Sequence, residues 1–185
     1  MKKTITLAIF CLSISLVTKA QNEPLHFTLN QFNSNLEINP AYAGTHENPS
    51  ISLRGRKQWV GFDGSPTTFF FNGESRIKKE KLAAGLTIIS DKIGITRSTS
   101  VDLSLASHIR VSEKGMTSFG IKLGVNSINS DFSKLSNVDL TDPLYANRNV
   151  VIPYVGVGGM YYTKKMHIGF AVPRVVSFEN VSPPD

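Results

Sequence analysis

The sequence predicts an all-β fold, an antiparallel barrel of the kind that crosses a bacterial outer membrane. Three observations lead there: an export signal at the N-terminus, long strands of period two after residue 50, and no apolar stretch beyond Val17 long enough for a transmembrane helix. Only helices and closed barrels satisfy every backbone group in lipid. An exported membrane protein without a spanning helix must therefore cross with strands.

The export signal comes first. Lys2 and Lys3 form a short positive start, Ile5 to Val17 carries no charge, and Thr18-Lys19-Ala20 puts a small residue before Gln21. This is the layout of a secretory signal peptide over residues 1–20. A membrane anchor is the alternative, but the run is shorter than the roughly 20 residues a spanning helix needs. Cys11, the only cysteine, follows the bulky Phe10 inside this run, which argues against acylation there. Once residues 1–20 are cleaved, the chain has no disulfide framework and no cysteine-based metal or redox site.

Cleavage also changes the charge. The 185-residue chain has 20 Lys and Arg against 14 Asp and Glu, formally +6. Lys2, Lys3 and Lys19 leave with the signal and no acid does, so half the excess disappears. No long basic cluster remains, and Lys78-Lys79-Glu80-Lys81 reads as a turn. We therefore expect no nucleic-acid partner, despite the basic composition.

Residues 21–49 are rich in Asn and show neither period, and we read them as an irregular N-terminal segment. Residues 50–185 carry the strands. Arg97 to Val111 is the clearest. Val101, Leu103, Leu105, Ile109 and Val111 share one face, and Ser100, Asp102, Ser104, His108 and Arg110 the other. Such alternation marks a strand with one apolar and one polar face. Its length exceeds the usual 5 to 6 residues of soluble strands and meets the roughly 9 to 11 that cross lipid.

Six neighbours follow the same scheme: Ile51 to Trp59, Pro66 to Ile77, Leu82 to Ser90, Met116 to Ile128, Ile152 to Thr163 and Met166 to Val172. That gives about seven strands. Short turns are expected at Lys78 to Lys81, Glu113-Lys114-Gly115 and Lys164-Lys165, with longer connections at Asp91 to Thr96 and Asn129 to Val151. Short turns at one rim and longer loops at the other suit an outer-membrane barrel. Tyr154, Tyr161 and Tyr162 are expected in aromatic girdles near strand ends. A soluble β-sandwich or lipocalin-like barrel shares these patterns but turns its apolar face inward. The sequence leaves that direction open; Lys122 and Arg110 are expected to meet water either way.

No catalytic set stands out, and we expect no enzyme, no cofactor and no metal. His26, His46, His108 and His167 are scattered without ligand spacing. Gly156-Val157-Gly158-Gly159 lies within a strand pattern and opens no helix, so it reads as a bend or a close backbone approach. Asp63-Gly64 reads as a hairpin turn.

Two stretches are distinctive: Ile38-Asn39-Pro40-Ala41-Tyr42-Ala43-Gly44, preceded by Phe32, and Arg54 to Thr68, containing Arg56, Gln58, Trp59, Gly61, Gly64, Pro66 and Thr68. They resemble the start of the PorP/SprF family of type IX secretion proteins of the Bacteroidetes, with its "NP-x-Y-A-G" and "R-x-Q-W-x-G…G-x-P-x-T" motifs. Further similarities follow in order: Gly85 to Gly94 with Asp91, Asn126 with Asp131-Phe132-Ser133, and Pro153, Gly156, Gly158 and Tyr161-Tyr162. The resemblance spans nearly the whole mature chain. It implies an outer-membrane barrel, embedded in outer-membrane lipid. Its implied partners are the type IX machinery and secreted surface proteins, gliding adhesins among them. Read physically, the motif residues build the fold: Pro40 and Gly44 shape a turn, and Trp59 is an interface anchor. Family members are usually longer, and seven is odd where bacterial barrels are even. We expect the chain to be the N-terminal portion of a barrel. The alternatives are a porin-like passive barrel and a secreted soluble β-domain that binds a small ligand.

Overall fold

The computed structural model describes residues 35–46, 48–78, 81–134 and 147–178. The signal-peptide reading, Cys11 and Phe32 fall outside them. The described elements are seven strands: β1 (Ser50–Lys57), β2 (Thr67–Lys78), β3 (Leu82–Ile93), β4 (Thr96–Arg110), β5 (Met116–Ser130), β6 (Arg148–Tyr162) and β7 (His167–Ser177). They form one antiparallel sheet in chain order, with β1 and β7 as its two edges. Among the described residues no helix is long and apolar enough to cross a membrane.

All seven predicted strands are present, and most run a few residues longer than their patterns. One connection differs. Asp91 to Thr96 is no long loop: Ile93 pairs with Thr96, and Gly94-Ile95 alone turns the chain. Gly94 has φ 58°, a left-handed conformation that glycine adopts without steric cost. The charged and β-branched residues before it simply continue β3. The expected long connection from Asn129 to Val151 is shortened to Asp131 to Asn147, because β5 and β6 extend into it, and Gln58 to Pro66 is a further long connection between strands.

The faces of the sheet decide between the two β architectures. On β4, Leu103 is 46% exposed while Asp102 beside it is 4% exposed. On β5, Leu123 is 51% exposed and Lys122 only 2%. The apolar face is thus uncovered and the polar face covered, the reverse of a soluble sandwich or lipocalin-like barrel. That polarity belongs to strands whose outer face meets lipid. It also corrects the reading of Lys122, which does not face water. Tyr154 and Tyr162 are corrected with it: both are buried on the inner face. Their even positions on β6 share the parity of Ile152 and Met160, so neither belongs to an outward girdle.

Residues 35–46 lie across this inner face as a strap. Two turns shape it. Asn39 N–H donates to the Asn35 carbonyl at 2.8 Å. A short 3-10 turn then runs over Pro40–Tyr42, capped when Ala41 N–H donates to Asn39 Oδ1 at 2.9 Å. Pro40 fits at the first position, where no N–H is needed. Leu36 and Ala43 pack with Ala83 and Ala106, and Ala41 packs with Met160 and Tyr162.

Candidate functional site

The strap meets the sheet through polar side chains that the strand pattern sends inward. An irregular segment has carbonyls without partners, and burying them unpaired costs free energy. Three inner-face residues meet that need. Lys122 Nζ donates to the Glu37 carbonyl. Ser118 Oγ donates to the Ala41 carbonyl at 2.7 Å. His108 Nε2 lies 2.8 Å from the Ala43 carbonyl, and its Nδ1 lies 2.9 Å from Tyr162 Oη. A carbonyl only accepts, so in the neutral ring the proton sits on Nε2 and the Tyr162 hydroxyl donates to Nδ1. His108 is therefore a positioning group for the strap.

Shape reinforces these bonds. A Cβ at Gly120 would lie 2.4 Å from both Ala41 N and Pro40 C, backbone atoms that cannot yield. A Cβ at Gly158 would lie 2.0 Å from Asn39 Oδ1. These glycines form notches in β5 and β6 into which Asn39-Pro40-Ala41 seats. Asn39 Nδ2 then reaches across β6 toward the Phe170 carbonyl of β7 at 3.3 Å. At the far end of the strap Gly44, with φ 72°, donates its N–H to Glu74 Oε2 at 3.1 Å. Its carbonyl accepts from Arg76 Nε at 2.7 Å.

A second set of charges lies on the same face. Lys122 Nζ is 3.6 Å from Asp102 Oδ2, and both side chains are almost wholly buried. Tyr154 Oη donates to Asp102 Oδ1, crossing Gly124, which leaves room for its ring. The Arg174 guanidinium lies 4.4 Å over the Tyr154 ring and that of Arg54 4.6 Å over Phe70. Glu37, on the strap and half-buried, has its carboxyl pushed up to about 7. Burial is the main cause; Lys122 and Arg54 oppose it and Asp102 adds to it. Among the described residues no group of three or more His, Cys, Asp or Glu could hold a metal ion.

The other motif residues gather at the long-loop rim. Thr68 Oγ1 donates to Asp91 Oδ1 at 2.6 Å, and Gly94 N–H to the Gly64 carbonyl at 2.8 Å. The "G-x-P-x-T" and "D-x-x-G" segments are thus bonded to one another. Gln58 N–H donates to the Pro66 carbonyl at 2.9 Å, which closes the β1–β2 loop. Trp59, which follows Gln58 in this loop, is 70% exposed with φ 49°, and Gly61 comes after it at φ 104°. Arg56 is exposed on β1. Asp131 N–H reaches the Ile95 carbonyl at 3.2 Å and Phe132 N–H reaches Asn147 Oδ1 at 2.9 Å.

Motifs far apart in sequence therefore fit one another: Asn39-Pro40 into Gly158 and Gly120, Gly64 against Gly94, Thr68 against Asp91. The chain belongs to the PorP/SprF family of type IX secretion system membrane proteins. The family's sequence model matches residues 18–185. No curated protein and no solved structure matches. As a PorP/SprF protein the chain is a membrane component of type IX secretion, and its inverted sheet is consistent with an outer-membrane setting. Sequence reasoning placed Asn39, Pro40, Tyr42, Ala43 and Gly44 in the motif but missed their role as the cover of the inner face. It also missed Ser118 and His108, which bond the Ala41 and Ala43 carbonyls, and Lys122, which bonds the Glu37 carbonyl. The visible signal was the polar residues alternating along β4 and β5, Ser100, Asp102, Ser104, His108, Ser118 and Lys122 among them, in a chain whose Asn39 to Gly44 motif carries no strand period.

Proposed function

We propose that this protein is an exported outer-membrane component that assists the type IX machinery in exporting or anchoring large surface proteins, gliding adhesins among them. A cleaved signal peptide over residues 1–20 would deliver it. The observation that carries this reading is the occupied inner face. A passive porin needs a wet lumen lined by solvated polar side chains. Here Asp102, Ser104, Ser118 and Lys122 are buried, and three of the four engage the strap or one another. Such an interior supports a scaffold that presents its rims to protein partners over a diffusion channel. It also supports a non-enzymatic role, since the buried His108, Lys122 and Asp102 are committed to structural bonds.

The test is deletion of the gene, followed by quantitative mass spectrometry of outer-membrane, surface and medium fractions. The expected result is loss of particular large surface proteins from the surface, restored by the gene in trans. Retention of every surface protein would sink the proposal. A strong steady conductance of the purified protein in planar bilayers would instead favour the porin reading.

A further inference from the structure

A cavity of about 800 Å³ opens at the rim formed by the short turns of β4–β5 and β6–β7. Among the described residues its wall carries Arg76, Arg110, Lys114, Lys164 and Lys165, against a single carboxylate, Glu113. The nearby Glu74 is engaged by the Gly44 N–H and by His46. Tyr162 and His167 also line the cavity. Their rings stack 6.0 Å apart at 6°, and Tyr42 stacks on His167 from the strap at 6.0 Å. At the opposite rim Lys57, Lys92 and Arg97 sit near strand ends, while the Gln58 to Pro66 loop there carries only Asp63 as a charge.

We propose that this cavity docks an acidic peptide segment of a protein partner. Cations crowded round one mouth repel each other and attract negative charge. Arg76 lies near the end of β2 while Lys164 and Lys165 join β6 to β7, four strand spacings away; at about 4.8 Å per spacing the charges spread over roughly 20 Å along the sheet. That is too wide for one inorganic anion and suits several carboxylates in an extended chain. The strap residues Thr45 and His46 line the cavity, which places it on the inner-face side of the rim. Lipid headgroups meet the outer face, so the occupant arrives from the aqueous compartment. The choice of an aqueous occupant rests on the proposed outer-membrane setting, while the charges and rings of the rim stand apart from the secretion role.

The test uses the full-length protein in detergent micelles and a fluorescein-labelled oligoglutamate peptide, followed by fluorescence polarisation. Oligoglutamate should bind more tightly than oligoserine of equal length, and weaken as salt rises. The double variant Lys164→Glu/Lys165→Glu, in an exposed turn, should weaken binding at least about tenfold, as charge reversal at a complementary surface does. Lys114→Gln should weaken it less. The variant Lys92→Glu/Arg97→Glu, at the opposite rim, should leave binding unchanged. The proposal fails if oligoserine binds equally well, if both double variants weaken binding alike, or if vesicles of anionic phospholipid displace the peptide.

Discussion

Asp102 and Leu103 are neighbours on β4, yet they live under opposite rules. Asp102 is closed in with Lys122, Tyr154 and the strap, whereas Leu103 stands on an uncovered apolar face. The inner face is held by specific pairs, so removing one partner strands the other. Among the described residues the outer face has no partners, and it depends on what surrounds it. The same substitution size should therefore have different consequences on the two faces, and in different media.

The largest effect is expected inside. Asp102→Ala removes the counter-charge of a buried lysine and the acceptor of the Tyr154 hydroxyl. Breaking a buried ion pair by deleting one partner costs about 3–5 kcal/mol. Urea unfolding of the refolded protein in detergent, followed by Trp59 fluorescence, should show that loss. The variant Asp102→Ala/Lys122→Met should recover much of it, because the stranded charge is gone. No recovery would mean that the pair is not the source of the cost.

On the outer face Leu103→Arg should cost about 2–4 kcal/mol in a bilayer, the range for a cation near the midplane of a barrel's lipid face. Its neighbour sharpens the contrast. Among the described residues Ser104 Oγ is buried with no hydrogen-bond partner, so Ser104→Ala should be neutral or slightly stabilising, since a buried unpaired hydroxyl is itself unfavourable. Equal destabilisation by both substitutions in lipid vesicles would contradict the assignment of the faces.

Much of this was legible beforehand because parity is a local property. Ser100, Asp102 and Ser104 alternate with Val101, Leu103 and Leu105, and that alone fixes which residues share a side. It does not fix which side is inside, since both barrel types obey the same period. The missing fact was non-local: Leu36, Asn39, Pro40, Ala41 and Ala43 pack against β3 to β6, some 40 to 120 residues away. Segments of that kind carry no period, so their partner surface cannot be read from their own pattern. Gly120 and Gly158 hinted at it, as glycines inside strands mark a close backbone approach. Gly94-Ile95 misled for the opposite reason: a polar run looked like a loop when it was the edge of a two-residue hairpin turn.

The notch at Gly120 offers a smaller break. Gly120→Val places side-chain atoms where Ala41 N and Pro40 C stand. Overpacking of this kind costs about 1–3 kcal/mol, and the strap should absorb it by lifting. Cleavage after Glu37 by a glutamyl endopeptidase should then become faster, while the strands stay intact by infrared spectroscopy. Unchanged cleavage would show that the sheet yields and the strap does not.

The gentlest probe is pH, acting through Glu37. A lifted strap returns its carboxyl to water and to its ordinary value of 4.5; in the docked strap burial raises it to about 7. The docked state thus holds its proton more firmly than the lifted one. Docking is then strongest below about 4.5 and weakens as pH rises through about 7, where the docked carboxyl must ionise. Lys122 limits the loss, because it favours the charged form. Hydrogen-exchange protection factors of Ala41 and Ala43, corrected for intrinsic pH dependence, should fall between pH 5 and pH 8. Glu37→Gln cannot ionise, so its protection should stay flat over that range. Identical profiles for the two proteins would remove Glu37 from the account and leave the backbone bonds from Lys122, Ser118 and His108 as what holds the strap.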